Sequence, residues 1–129
     1  MADVFGEECL QLSNRYLDRL LNQADFWTIA AFDKNNEVIG GLTAHIISKT
    51  TSESSELFIY DLAVRRSRQR QGVGRLLIGA LRDNAVAAGI QEIFVVADNA
   101  DIHALDFYRA LGGKASQATL FTFSIDRRT

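Results

Sequence analysis

Five arginines and two glycines crowd into Arg65-Arg66-Ser67-Arg68-Gln69-Arg70-Gln71-Gly72-Val73-Gly74-Arg75. Glycines at a helix entrance let the backbone approach a ligand closely, and the first-turn N–H groups and helix dipole point at whatever fills that space. Such a loop favours an anion. A pyrophosphate fits better than a lone carboxylate, because consecutive amides cradle two phosphoryl groups while arginine side chains pair with a further phosphate. The pattern is not the dinucleotide loop, which needs three glycines, nor the Walker loop, which ends in Lys-Ser or Lys-Thr. Two plainer explanations stand beside it: a basic turn with a glycine helix entrance, and a basic patch for RNA. No aromatic stacking platform accompanies the cluster, and the net charge is negative, which counts against RNA. Just upstream, Asp61 is the one charge in the apolar run Leu57-Phe58-Ile59-Tyr60-Asp61-Leu62-Ala63-Val64.

These residues need a scaffold, and the hydrophobic periodicity supplies one. Phe5, Cys9, Leu12, Tyr16, Leu17, Leu20 and Leu21 recur at helical spacing and predict an amphipathic helix over Phe5 to Leu21. Phe26 to Phe32 and Val38 to Ile47, separated by Asp33-Lys34-Asn35-Asn36, predict a hairpin. Leu57 to Val64 reads as a third strand. Gly74 to Gly89 carries Leu76, Leu77, Ala80, Leu81, Ala85, Val86 and Ala88 at helical spacing and ends on a glycine suited to the position after the last turn. A buried strand over Gln91 to Ala97, a helix over Ile102 to Leu111 closed by Gly112-Gly113, and a final strand over Leu120 to Ile125 complete the pattern. A meander followed by alternating strands and helices implies an α/β fold with a mixed central sheet flanked by helices.

The chain has 129 residues, 47% hydrophobic and 23% charged, the size of a single domain with one core. A net charge of −2 gives no global basic field and fits a cationic substrate better than nucleic acid. The single cysteine, Cys9, has no internal disulfide partner and suits a small buried hydrophobe in a reducing compartment. The acidic start and the lack of a long apolar run predict neither a secretory signal nor a membrane span, hence a cytoplasmic protein. His45 and His103 are far apart in sequence and no Cys-His-carboxylate cluster exists, so no metal is expected.

Val64 followed by Gln69-Arg70-Gln71-Gly72-Val73-Gly74 resembles the acetyl-coenzyme A signature of the GNAT N-acetyltransferase superfamily, Gln/Arg-x-x-Gly-x-Gly/Ala. A second segment, Ala104-Leu105-Asp106-Phe107-Tyr108-Arg109-Ala110-Leu111-Gly112, resembles the later helix whose tyrosine lies near the cofactor sulfur in that superfamily. Within it, Phe58 to Val64, Arg70-Gln71-Gly72 and Ala97-Asp98 are most similar to aminoglycoside 3-N-acetyltransferases, the likeness running from about Phe5 to Asp126. Relatives begin with an additional strand before the segment matching Phe5, so the resemblance implies a GNAT fold without that usual first strand.

The resemblance implies direct transfer: a neutral amine attacks the thioester carbonyl of acetyl-coenzyme A, a tetrahedral intermediate collapses, and the thiolate leaves. An ammonium must lose a proton, an oxyanion must meet a donor, and the thiolate must be protonated or stabilised. Asp61, expected to be buried or half-buried, is the candidate for the first task, either as base or by positioning the amine while water carries the proton; the competing explanation is a pairing with an arginine or backbone groups. A backbone N–H of Leu62 or Val64 is the candidate for the second, and the Leu62-Ala63-Val64 edge is expected to hold the pantetheine arm like an added strand. Tyr108 is the candidate acid for the third, with Phe107 beside it as a packed aromatic. Gln69, Arg70, Gln71, Gly72, Val73, Gly74 and Arg75 would bind the cofactor phosphates, and Phe107 and Tyr108 would also contact the cofactor. Tyr60, Asp98 and Asp101, with Glu56 and Asp126 as weaker contributors, would face a polycationic acceptor.

The implied function is acetyl transfer to the 3-amino group of an aminoglycoside, an antibiotic-resistance activity, by a homodimer whose uncovered sheet edge invites pairing. Acetylation of another polyamine, or of a peptide or protein amine, is the alternative within enzymes. A non-catalytic acetyl-coenzyme A-binding module is the alternative outside them.

Overall fold

The computed structural model describes residues 12–126. Cys9 and the part of the expected helix before Leu12 lie outside these residues. The helix expected over Phe5 to Leu21 is not continuous, because Ser13 is extended and caps a helix that begins only at Asn14. Helix α1 spans Asn14–Leu21, with Ser13 as N-cap accepting from the Tyr16 N–H at 3.1 Å. Strands β1 (Phe26–Phe32), β2 (Val38–Ser48) and β3 (Ser55–Val64) form an antiparallel meander, and β4 (Glu92–Val95) adds in parallel beside β3. The sheet order is β1-β2-β3-β4, mixed as expected. Helix α2 (Val73–Ala87) is the crossover between β3 and β4, the long connection that a parallel pair requires. Gly89, at φ 77°, follows its last turn in the left-handed conformation that glycine adopts freely.

Two compact units emerge, one ending at Val96 and one beginning at Ala97. The first contains the sheet, α1 and α2. Its core lies between the sheet and α2, where Leu42, Leu57 and Leu81 are fully buried beside Ile59, Leu77, Ile78 and Ala85. Gly40 of β2 sets how closely α2 seats: a Cβ there would stand 2.9 Å from Val73 Cγ1 and 3.3 Å from the Ala63 carbonyl oxygen. The second unit contains helix α3 (Ile102–Ala110), capped by Asp101, whose carboxylate accepts from the Ala104 N–H at 3.1 Å, and closed by Gly112 at φ 94°.

Two expectations need correction. The strand expected over Gln91 to Ala97 is shorter, because β3 offers β4 a straight edge only from Glu56 to Ile59 before it bulges. The final strand expected over Leu120 to Ile125 is not formed among the described residues. Its alternation is that of a strand, but a strand exists only when a neighbour supplies its hydrogen bonds, which periodicity alone cannot specify. Leu120, Phe121, Phe123 and Ile125 are instead 80%, 76%, 88% and 96% exposed.

Candidate active site

Strand β3 carries an additional residue opposite β2. Thr43 faces Asp61 and Ala44 faces Ile59, so Tyr60 is left over as a bulge. The pleat changes phase there. Because Gly40 meets α2, alternation puts Leu42 and Ala44 on that face and Thr43 and His45 on the other. Asp61 shares Thr43's face, while Tyr60 follows Phe58, the cross-strand partner of His45. The bulge thus sends two consecutive side chains, Tyr60 and Asp61, out of the face away from α2, and both are exposed. The expectation of a buried or half-buried Asp61 is therefore wrong: the bulge lifts it out of the apolar pleat. Its carboxylate makes no ion pair or hydrogen bond with any described residue, the described arginines included.

Beyond Ile59, β3 has no partner on the β4 side among the described residues. The Arg65 N–H donates to the Ile39 carbonyl at 2.8 Å, so strand alternation turns the amides and carbonyls of Val64 and Leu62 the other way, toward that unpaired edge. Gln69 Nε2 confirms the direction by donating to the Val64 carbonyl oxygen at 3.1 Å. Leu62, Ala63 and Val64 thus present one edge with two outward N–H groups, a template for an extended polar arm.

The loop that follows is a 3₁₀ turn, Arg66–Arg68, then two left-handed residues, Arg70 at φ 64° and Gly72 at φ 85°, leading into α2. Left-handed residues interleaved with right-handed ones turn successive N–H groups into a concavity that suits anions. Among the described residues no side chain caps α2, and none stands within 4 Å of where a Gly72 Cβ would be. The amides of Val73, Gly74 and Arg75, which have no partner inside the helix, remain open toward a ligand. Uncapped first-turn amides with an unobstructed glycine fit the phosphates of coenzyme A.

The arginines divide. Arg68 donates to Asp33 Oδ2 at 3.2 Å, and Arg65 lies 3.7 Å from Glu37. Asp33 Oδ1 also accepts from the Asn35 and Glu37 amides at 2.8 and 3.0 Å. These bonds, the Glu37 amide first and Arg68 and Arg65 after the others, hold the Asp33 carboxyl below its ordinary value of 3.8 against the opposing effect of burial. Two arginines of the cluster are therefore anchors on the β1–β2 turn, leaving Arg66, Arg70 and Arg75 exposed. Gln69 and Gln71, whose amide donates to the Ser67 carbonyl at 3.4 Å, brace the loop from within. The anchoring role of Asp33 was not visible beforehand. Its sequence context signals only a turn, and Arg68 is 35 residues away.

In the second unit, Tyr108 is half-buried and packs against Phe107, ring centroids 5.1 Å apart. Burial first, and the Asp101 charge second, raise its phenol above 10.0, so it stays protonated through neutral pH and beyond. Asp98 and Asp101 have local work: Asp98 accepts from the Ala100 N–H at 2.8 Å in a turn, and Asp101 caps α3. A concavity of about 400 Å³ between β1 and α2, lined by Phe26, Trp27, Thr28, Ile29 and Asn84, contains none of the expected site residues. Among the described residues no group of three His, Cys, Asp or Glu side chains converges for a metal, and no helix is long and apolar enough to cross a membrane.

Among curated proteins none matches the chain. Solved structures do. An aminoglycoside acetyltransferase, meta-AAC0020, from an uncultured soil metagenomic sample, solved with sisomicin, superposes with a TM-score of 0.87 at 35% identity, covering 93% of this chain and 79% of its own. A second soil metagenomic aminoglycoside acetyltransferase, HMB0005, gives 0.84 at 34% identity, covering 91% and 77%. AAC(6')-Iy, solved with a bisubstrate analogue, shares the fold at 0.75 and 19% identity, covering 83% and 74%. The sequence profile described as the acetyltransferase (GNAT) family matches residues 2–112. By this match over most of its length and by its 35% identity to a solved aminoglycoside acetyltransferase, the chain belongs to the GNAT family and is an acetyltransferase whose family uses acetyl-coenzyme A.

Proposed function

We propose that this single acetyltransferase domain transfers the acetyl group of acetyl-coenzyme A to an aminoglycoside, with the 3-amino group as acceptor, and so confers antibiotic resistance. One observation carries the acceptor reading. Asp61 is an exposed carboxylate without a partner among the described residues, set by the bulge at the start of the β3 edge that no described strand pairs with. A carboxylate there attracts a protonated amine to the strand along which a thioester arm would lie. The 35% identity to meta-AAC0020, which was solved with sisomicin, supports the same substrate class.

When bound, acetyl-coenzyme A supplies the acyl group and a thiolate leaving group. The loop from Gln69 to Arg75 holds its phosphates through backbone amides and the free arginines. The Leu62 and Val64 edge orders the pantetheine arm, and one of the two N–H groups donates to the carbonyl oxygen as charge develops. Asp61 binds the amine and takes its proton directly or through water; with the carboxylate exposed, a water has room to relay it. Tyr108, kept protonated by its surroundings, is the proposed donor to the departing sulfur. Phe107 supports its ring. The enzyme would work in the cytoplasm, where acetyl-coenzyme A is supplied, and as a homodimer.

Thiol release measured against sisomicin, gentamicin-type aminoglycosides, spermidine, short peptides and a no-acceptor blank tests the reading. Aminoglycosides are expected to be the preferred acceptors, and Asp61→Asn to lower kcat/KM by about a hundredfold or more, the usual scale for losing a proton-transfer group. Preference for peptides, or an Asp61→Asn enzyme as fast as the wild type, would overturn it.

A further inference from the structure

Four rings stand in one row across the whole sheet, each in register with the next. Phe26 of β1 faces His45 of β2, His45 faces Phe58 of β3, and Phe58 faces Phe94 of β4. Phe26 and His45 have centroids 5.1 Å apart, and Phe58 and Phe94 are stacked at 4.9 Å and 18°. The row lies on the face away from α2, the face from which Tyr60 and Asp61 emerge. Tyr60 stands edge-on to two of its members, 5.9 Å and 81° from His45 and 6.0 Å and 85° from Phe58. Edge-to-face pairs at these separations are favourable, so the Tyr60 ring is held from two sides. It is nonetheless 64% exposed.

A large aromatic that is both fixed and exposed, next to an exposed carboxylate with no partner among the described residues, is the chemistry that receives a cation carried on an apolar frame. The carboxylate meets the ammonium charge, and the ring meets its polarised C–H groups by cation–π attraction. A held ring loses little freedom on binding, so contact with it is not cancelled by ordering. Bulges re-aim side chains, and here the bulge puts the two groups side by side where regular alternation would have sent them to opposite faces.

We propose that Tyr60 and Asp61 form one recognition unit for a protonated amine borne on a saturated ring, and that His45 is the positioning residue that holds the Tyr60 ring in place for it. The proposal rests on the amine-acceptor reading above and adds how the acceptor's frame is read. His45 does not touch the reacting atoms. It acts through Tyr60, with Phe26 fixing its other side.

Steady-state kinetics of His45→Ala, His45→Phe, Tyr60→Ala and Tyr60→Phe test it, using sisomicin, whose amines sit on rings, and spermidine, whose amines sit on a flexible chain. Loss of the held ring is expected to raise the sisomicin KM by roughly tenfold in His45→Ala and Tyr60→Ala, the scale of one good cation–π contact. The kcat and the acetyl-coenzyme A affinity are expected to stay within about twofold and the spermidine KM to change less, since these mutations remove uniform acceptor binding only. His45→Phe and Tyr60→Phe, which keep the rings, are expected to restore the wild-type KM. An unchanged sisomicin KM in His45→Ala overturns the inference, as does an equal rise for both acceptors with a loss of coenzyme A affinity, which marks a structural role. Should the wild type acetylate neither amine, calorimetric binding of sisomicin separates the two failures. Binding weakened in His45→Ala upholds the recognition unit and sinks the reaction, whereas no binding sinks both.

Discussion

Gly72 and Tyr60 owe their interest to backbone conformation rather than to side-chain type alone. At φ 85°, with open space around its missing Cβ, Gly72 is the point where a substituent would enter the concavity without striking protein. Gly72→Asp is expected to cost the fold only about 1–2 kcal/mol for a left-handed aspartate. It would also put a carboxylate among amides proposed to hold phosphates, a like-charge clash worth several kcal/mol. Calorimetric titration with coenzyme A should therefore find affinity reduced by more than about a hundredfold in a protein that melts cooperatively. Gly72 was legible as a helix-entrance glycine, because its motif is local and its chemistry is carried by backbone atoms. Tyr60 and Asp61 were legible as residues but not as neighbours on one face, since period-two alternation sends adjacent side chains to opposite sides unless a bulge intervenes. Bulges arise from pairing with another strand and leave no mark in the run that contains them.

At the scale of elements, the β1–β2 turn and the loop before α2 are a single mechanical piece joined by Asp33 and Glu37 to Arg68 and Arg65. The Asp33 side chain is only 7% exposed, unlike the surface acids around it. Its carboxyl titrates below the ordinary 3.8, so in the unfolded chain it takes a proton more readily than in the native one. Its contribution to stability is therefore complete above that value and is lost as pH falls through the lower, folded one. Thermal melts of wild type and Asp33→Asn between neutral pH and about pH 3 are expected to converge on the acid side, with the variant less stable at neutral pH. A constant gap across that range would mean that the carboxylate charge does not matter. The hairpin, β3, α2 and α3 were readable because their periodicities are strong and punctuated by Asp33 to Asn36, Gly89 and Gly112. The Asp33–Arg68 tie was not, since nothing local in either segment names a partner 35 residues off.

For the whole molecule, the open question is what meets the free strand surfaces. The β4-side edge of β3 is assigned above to the cofactor, whereas Leu120 to Ile125 carries four large apolar side chains in water. In a homodimer they would be the natural contact, and Phe121→Asp with Phe123→Asp is expected to shift the protein toward monomer in gel filtration run at two concentrations. An identical elution position for wild type and variant would remove that contact. The stretch Leu120-Phe121-Thr122-Phe123-Ser124-Ile125 is also six residues of strand-favouring, uncharged sequence without proline, the composition from which stacked cross-β ribbons are built. Until it is covered, it is the part of the chain through which nascent or heated molecules would clump. Gatekeeping falls to the charges that flank it, Lys114 on one side and Asp126 on the other, and removing either should cost soluble yield before it costs catalysis.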